Sequence, residues 1–404
     1  MPNHVLTLLR SGLIPCTLSL AAASAGAQAS RMSPEMLAEI QKFAAMQAMI
    51  GTDYVHAVDP VSVMNSCMKG MVSGLDGQSV YFDAAAFEEF KNGGTAGEVG
   101  IGVELTLRAG LPSITTAIDG SAAQRAGLNP KDYILEVDGH SMEETTLEEA
   151  VKRLRGAPGS SVDLLIRRPG EATNRSLRIT RELTRMKPVS DSRVFGSVGY
   201  IKLSGFTDQS APALRAAFKA LPSPPSMKGL VLDLRNSPGG LLTATIEIAA
   251  MFLPEGAPVV NLEGRLPESN QSIRADRQEI LRNRNAVNEP WPEAMRSIPM
   301  VVLVNAGTAS GAEIVAGALQ DNGRAKLVGG KTFGRGSIQT VRQLTANTAI
   351  KLTTAIYKTP TGRVLQNKGL APDVLAADPE RYDDRATTQD GGLKQALAML
   401  GAKP

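Results

Sequence analysis

The sequence is short of the residues on which many hydrolytic and redox sites are built. Its 404 residues include two cysteines, Cys16 and Cys67, and three histidines, His4, His56 and His140. No CxxC, HExxH or other Cys/His spacing suited to a metal occurs, and there is no Walker loop. Metal-assisted hydrolysis and nucleotide chemistry therefore have no support, and no cofactor is expected. Charge of one sign is lacking too: 43 Lys and Arg stand against 40 Asp and Glu. With no basic run to break that balance, no nucleic-acid partner is expected. Beyond the first thirty residues, no segment is long and apolar enough to span a bilayer.

Those first residues are "MPNHVLTLLRSGLIPCTLSLAAASAGAQAS". Arg10, an apolar stretch and small residues follow in the order of a secretory signal, with cleavage sites at Ala25-Gly26-Ala27 and Ala27-Gln28-Ala29. "LIPC" has the look of a lipidation signal, but Pro15 is unfavourable just before the modified Cys16. The expectation is a signal peptide over 1–29 and an exported, periplasmic or envelope-associated chain. Its one remaining cysteine, Cys67, could form no internal disulfide.

The rest divides by pattern. Residues 30–94 read as a helical region: Ser33 caps, Pro34 opens a helix, and Asp59 caps a second one. In that second helix Met64, Met68 and Met71 have helical spacing and are expected in a core. Residues 95–183 carry short β-rich runs at Ile101–Leu105, Ile114–Ala117, Tyr133–Val137, Val162–Arg167 and Arg175–Thr180. Helical stretches lie at Ser121–Ala126 and Thr146–Leu154, as in a small barrel-like β module. Residues 184–376 alternate apolar strands ("GYIKLSGF", "GLVLDLR", "MVVLVN", "AKLVGG") with helices, as a layered α/β sheet does. A polar excursion over 266–297 interrupts them. Residues 377–404 form an acidic tail ending in the amphipathic "GGLKQALAMLGA". The fold class expected is thus multidomain: N-terminal helices, a β module and an α/β core.

No histidine falls in the α/β part, which argues against a Ser-His-Asp triad. What remains is "VLVNAGTASGAEIVAGALQDNG", where Ser310 follows an apolar strand and precedes a helix starting near Gly311. A serine there projects its hydroxyl from a sheet end, beside the free N–H groups of a helix start that could hold an oxyanion. It could equally be a simple N-cap. Physics alone leaves both open.

Two resemblances bear on this choice. "EVGIGVEL", "SAAQRAGLNPKDYILEVDGHSM" and "EEAVKRLRGAPGSSVDLLIRR" resemble a PDZ domain. That resemblance implies capture of extended protein C-termini by strand addition, with the carboxylate held at Val99, Gly100, Ile101, Gly102 and Val103. "SGLDGQSVYF", "LVLDLRNSPGGLL", "TASGAEIVAGALQDNGRA", "KTFGRGSIQT" and "YKTPTGRVLQNKGLAPDV" match, in order, the carboxyl-terminal processing peptidases, the tail-specific serine proteases of family S41. Membership implies a serine–lysine dyad with Ser310 as nucleophile. Gln339 orients the base, and Gly311 with Gly239 or Gly240 supplies the oxyanion hole. The partners implied are protein substrates bound by their C-termini, and an adaptor or a second copy of the chain is compatible with the pattern.

The chain departs from the family at one decisive place. The lysine position is occupied by Arg335. A guanidinium stays protonated and has no acceptor, so it cannot take the serine proton. Lys331 and Lys326 are the nearest lysines in sequence. Gly311 also replaces the family's usual alanine, with little consequence expected. Two readings follow: a serine endopeptidase with an altered base, and a pseudo-peptidase that binds C-termini or a partner without turnover. A glycan- or ligand-binding protein would explain only the α/β pattern.

Overall fold

The computed structural model describes residues 33–92, 98–278, 280, 291–378 and 390–402. The leader, with His4, Cys16 and both cleavage sites, lies outside the described residues, as does most of the acidic tail. The chain divides into two units, Met1–Met71 and Val72–Pro404.

In the first unit, helix Pro34–Asp53 starts as its sequence dictates: the Ser33 side chain accepts the Met36 N–H at 3.3 Å and proline stands in the first turn. The next helix starts at Pro60, with the Asp59 carboxylate accepting from Val61 and Ser62 N–H. The core expected for its methionines is not formed. Met71 is 70% exposed and Met64 and Met68 are partly exposed, while helix Pro34–Asp53 buries no side chain at all. Helical spacing sets a shared face but not what covers it. Among the described residues no helix is long and apolar enough to cross a membrane.

The second unit opens with a strand inside the stretch read as helical: Val80–Phe82 pairs antiparallel with Ala349–Lys358. That long strand also pairs with Pro258–Gly264 and Ser337–Gln343, and Gln271–Arg274 completes a five-stranded antiparallel sheet. Its strands are half-exposed and alternate in polarity, which is why a search for continuous apolar runs passes over them.

The β module is an antiparallel sheet in the order Val103–Arg108, Leu111–Ala117, Tyr133–Val137, Ser161–Arg167, Arg175–Thr180, with His140–Ser141 beside the third strand. Helices Ala122–Arg125 and Leu147–Leu154 are capped by Ser121 and Thr146. Ile101, Ile114, Ile134, Leu164 and Ile166 form its core. Ile101 lies before the strand rather than in it, because Gly102 turns the chain at φ 81°.

The α/β core is a six-stranded sheet in the order Val189–Phe195, Val198–Leu203, Gly229–Asp233, Met300–Val304, Lys326–Gly329, Val374–Leu375. All pairs but the first are parallel. Alternate residues face opposite layers. Leu230, Leu232 and Val302 pack with helices Ser210–Ala220, Leu242–Phe252 and Gly311–Asp321. Val231, Val301 and Leu303 pack with Leu393, Ala396 and Leu397 of the C-terminal helix Gly391–Met399. Both faces are covered, which accounts for the unbroken apolar runs of the central strands.

The module docks on the core by polar contacts. The Asp119 carboxylate accepts from Lys202 Nζ at 2.8 Å and from Ser204 Oγ at 2.5 Å. Thr116 Oγ1 donates to Asn236 O at 3.0 Å.

Candidate active site

Strands Gly229–Asp233 and Met300–Val304 are parallel neighbours, and the loops leaving their carboxyl ends lie side by side. In open α/β sheets this is where ligands bind. The loops are laced together. Asn236 and Asn305 exchange two hydrogen bonds, Thr308 Oγ1 donates to Leu234 O, and Ala309 N–H donates to Ser237 O. Beneath them Arg235 bridges Asp233 and Asp390, with Nη2 at 2.6 Å from each carboxylate, and Tyr200 OH donates to Asp233 at 2.8 Å. Burial alone would push the Asp233 carboxyl up, but the Arg235 guanidinium and its hydrogen bonds, with Lys202, hold it below its ordinary value.

Ser310 stands at the turn from strand to helix with φ 52° and ψ −119°. A side chain in that conformation is strained, by roughly 1–3 kcal/mol, and persists only where its surroundings impose it. The surroundings here are close. A Cβ at Gly239 would lie 2.5 Å from Gly311 N and 2.9 Å from Ser310 Cβ, so Gly239 is backed directly onto the serine turn. Gly240 (φ 148°) lies against Phe206, whose carbonyl a Cβ there would meet at 2.2 Å. Both φ values are ones that favour glycine. The amides of Gly240 and Gly311 donate to no protein acceptor among the described residues. A pair of unspent N–H groups beside a hydroxyl, at the start of an eleven-residue helix, is an arrangement that can stabilise an oxyanion.

A residue the sequence reading passed over holds this turn. Glu313 is fully buried, and its carboxylate accepts Ser310 N–H (3.0 Å), Gly334 N–H (2.9 Å), Arg335 N–H (2.9 Å) and Thr332 Oγ1 (2.5 Å). Burial pushes its carboxyl up from the ordinary value, while the hydrogen bonds from Thr332, Gly334, Arg335 and Ser310 oppose that. The signal was present: serine three residues before glutamate at a helix start is the capping-box pattern. Spacing could not show that the carboxylate also reaches the loop at 332–335.

The structure brings the backbones of Ser310 and Arg335 together on one oxygen, Glu313 Oε2. The Arg335 side chain goes to the β module. Its Nη2 donates to Leu105 O at 3.1 Å and to Thr115 Oγ1 at 2.5 Å, and its Nη1 lies 3.8 Å from Glu104 Oε2. Thr115 is the extra residue of a β-bulge opposite Glu104 and Leu105, so the guanidinium reads an irregularity in the sheet. Burial pulls Arg335 down from its ordinary value, against Glu104 and Glu313, and its Nε is buried without an acceptor. Gln339 makes no hydrogen bond to Arg335 among the described residues; its amide donates to Ser337 Oγ at 3.0 Å and Thr353 Oγ1 at 3.3 Å.

Of the lysines weighed, Lys326 is ion-paired with Asp373 at 3.0 Å and Lys331 is exposed. His140 faces Asp138 O in its own turn, and His56 packs edge-on against Tyr54. Gly311 matters more than expected. A Cβ there would meet Thr245 Oγ1 at 2.4 Å, so the threonine fills the space an alanine would need.

In the β module, Val99 and Gly100 pair with Leu183 and Glu182. Ile101 is buried, Gly102 is pressed against Ser121, and Val103 begins the edge strand Val103–Arg108. That strand is the last of its sheet, and Arg335, Gly77 and Gln78 lie against it at Leu105, Leu107 and Thr106.

Comparison with known proteins gives this geometry a context. The family model described as "Peptidase family S41" matches residues 197–376, and one described as "PDZ domain" matches 113–168. A "Carboxy-terminal-processing protease" of Bartonella bacilliformis is 35% identical over 85% of this chain and 77% of its own length. A "Carboxyl-terminal-processing protease" of a Picosynechococcus species is 36% identical over 76% of this chain and 71% of its own. Among solved structures, a photosystem II D1 C-terminal processing protease superimposes with a TM-score of 0.69 at 25% identity. It covers 92% of this chain and 98% of its own.

Proposed function

The chain belongs to peptidase family S41, with a PDZ domain, and from that premise we propose that it is an exported serine endopeptidase that cleaves proteins held by their C-termini. Ser310 is the nucleophile in this reading, and the amides of Gly240 and Gly311 form the oxyanion hole. The PDZ domain receives the substrate C-terminus at Val99–Val103.

One observation carries the reading. Ser310 is held in a strained turn with two unspent amides beside it, an arrangement an ordinary helix cap does not need. The test is cleavage of an unfolded protein with an apolar free C-terminus, together with labelling of the serine by a fluorophosphonate. Both are expected in the wild type and absent in Ser310→Ala. A wild type no more reactive than that variant would refute the assignment.

A specific observation favours the second reading, the pseudo-peptidase. The residue at the family's lysine position cannot accept a proton, and its guanidinium is spent on Leu105 and Thr115. Under that reading C-terminal peptides bind and nothing is cleaved.

A further inference from the structure

The turn Asn129-Pro130-Lys131-Asp132 in the PDZ domain closes with Asp132 N–H on Asn129 O. Proline stands at its second position and Lys131 has φ 73° at its third, the form of a type II turn. That third position belongs to glycine, because any side chain there is strained. Here it carries a lysine.

The turn stands against the catalytic loops. A Cβ on Gly307, three residues before Ser310, would meet Pro130 Cγ at 3.0 Å and Asn236 Oδ1 at 2.6 Å. Lys131 N–H donates to Ile114 O, and Ile114 N–H to Asp132 O. The next residues along that strand, Thr115 and Thr116, bond Arg335 and Asn236 O. The turn is therefore tied by backbone to the strand on which both catalytic loops rest. Lys131 is half-buried, and its ammonium makes no hydrogen bond or ion pair among the described residues. The charged groups whose fields act on it are Arg108, Lys331 and Glu313, the last being the carboxylate that braces Ser310.

We propose that Lys131, supplied by the PDZ domain, is the general base for Ser310, an inference that rests on Ser310 being the nucleophile. The neutral Nζ takes the Oγ proton as Oγ bonds to the scissile carbonyl carbon. The ammonium returns that proton to the departing amine nitrogen as the C–N bond breaks. The same Nζ then takes a proton from the water that attacks the acyl-enzyme, and returns it to Oγ as the ester bond breaks. Arg335 has the complementary task of holding the module in place through Leu105 and Thr115. Burial first, then Arg108 and Lys331, draw the Lys131 ammonium below its ordinary value, with Glu313 opposing. This is the direction a lysine base requires.

The conformation supplies an unusually clean test. Lys131→Gly removes the amine and relieves the turn, so folding is not put at risk. Cleavage and fluorophosphonate labelling of Ser310 are expected to fall about 10²–10⁴-fold in this variant. The rise of activity with pH should disappear, while the thermal midpoint stays level or increases. Lys131→Arg keeps the charge but not the base and should fall equally. Full activity with an unchanged pH profile in either variant overturns this proposal alone. A folded wild type that neither cleaves nor labels overturns both this proposal and the peptidase reading.

Discussion

Removing the guanidinium of Arg335 tests how the PDZ domain is held. In Arg335→Met, Leu105 O and Thr115 Oγ1 lose a charged donor at 3.1 and 2.5 Å. Hydrogen bonds to charged groups contribute about 1.5–3 kcal/mol each, and water recovers part of that once the module lifts, leaving a net loss of about 2–4 kcal/mol. At about 1.4 kcal/mol per factor of ten, the lifted state becomes roughly 30- to 1,000-fold more populated. The Glu104 pair adds little, because Glu104 is 41% exposed and 3.8 Å away. The assay is hydrogen exchange of the amides in Val103–Arg108 and Leu111–Ala117, measured for Arg335→Met, Thr115→Val and the double variant. Faster exchange in both singles, with the double less affected than their sum, is expected. Wild-type exchange throughout, or effects that add within about 0.5 kcal/mol, would refute the contact as the bolt between module and core.

Two further perturbations follow from close contacts. Gly311→Ala is expected to destabilise the serine turn and lower cleavage, because its Cβ meets Thr245 Oγ1 at 2.4 Å. Adding Thr245→Ala should restore both thermal midpoint and rate. Arg235→Met strands the buried carboxylates of Asp233 and Asp390 and should cost about 3–5 kcal/mol at neutral pH. In the wild type, Asp233 lies below its ordinary 3.8 in the fold. Its contribution is therefore full above that value and lost only as pH falls through the lower folded value. In Arg235→Met burial is opposed only by Lys202 and the backbone N–H of residue 235, so the loss should move to higher pH, read as urea midpoints between pH 3 and 8.

The apolar strands of the core were legible because both their faces are buried, and the Ser310 turn because a small-residue run separates a strand from a helix. The antiparallel sheet built on Ala349–Lys358 was not, since half-exposed strands mix with ordinary surface sequence and the partner Val80–Phe82 lies far away in the chain. Position 335 was legible as an anomaly, but not the direction of its side chain. That depends on the β-bulge at Thr115, which no local pattern announces. Lys131 had a partial signal, proline one residue earlier in "NPKD". The positive φ that makes it unusual is fixed by pairing with Ile114, a contact across the module.

The meeting of two amides on Glu313 Oε2 has a consequence for how such a site can change over time. The loop is located by a main-chain N–H that every residue except proline carries, so the carboxylate works as a jig indifferent to the side chain it positions. Lysine, arginine or another residue can be mounted at 335 without disturbing the geometry of Ser310. Placement and chemistry are thereby separable properties of the same position. A lineage could lose the proton acceptor there, keep the nucleophile poised, and recruit a base from a neighbouring domain without rebuilding the scaffold.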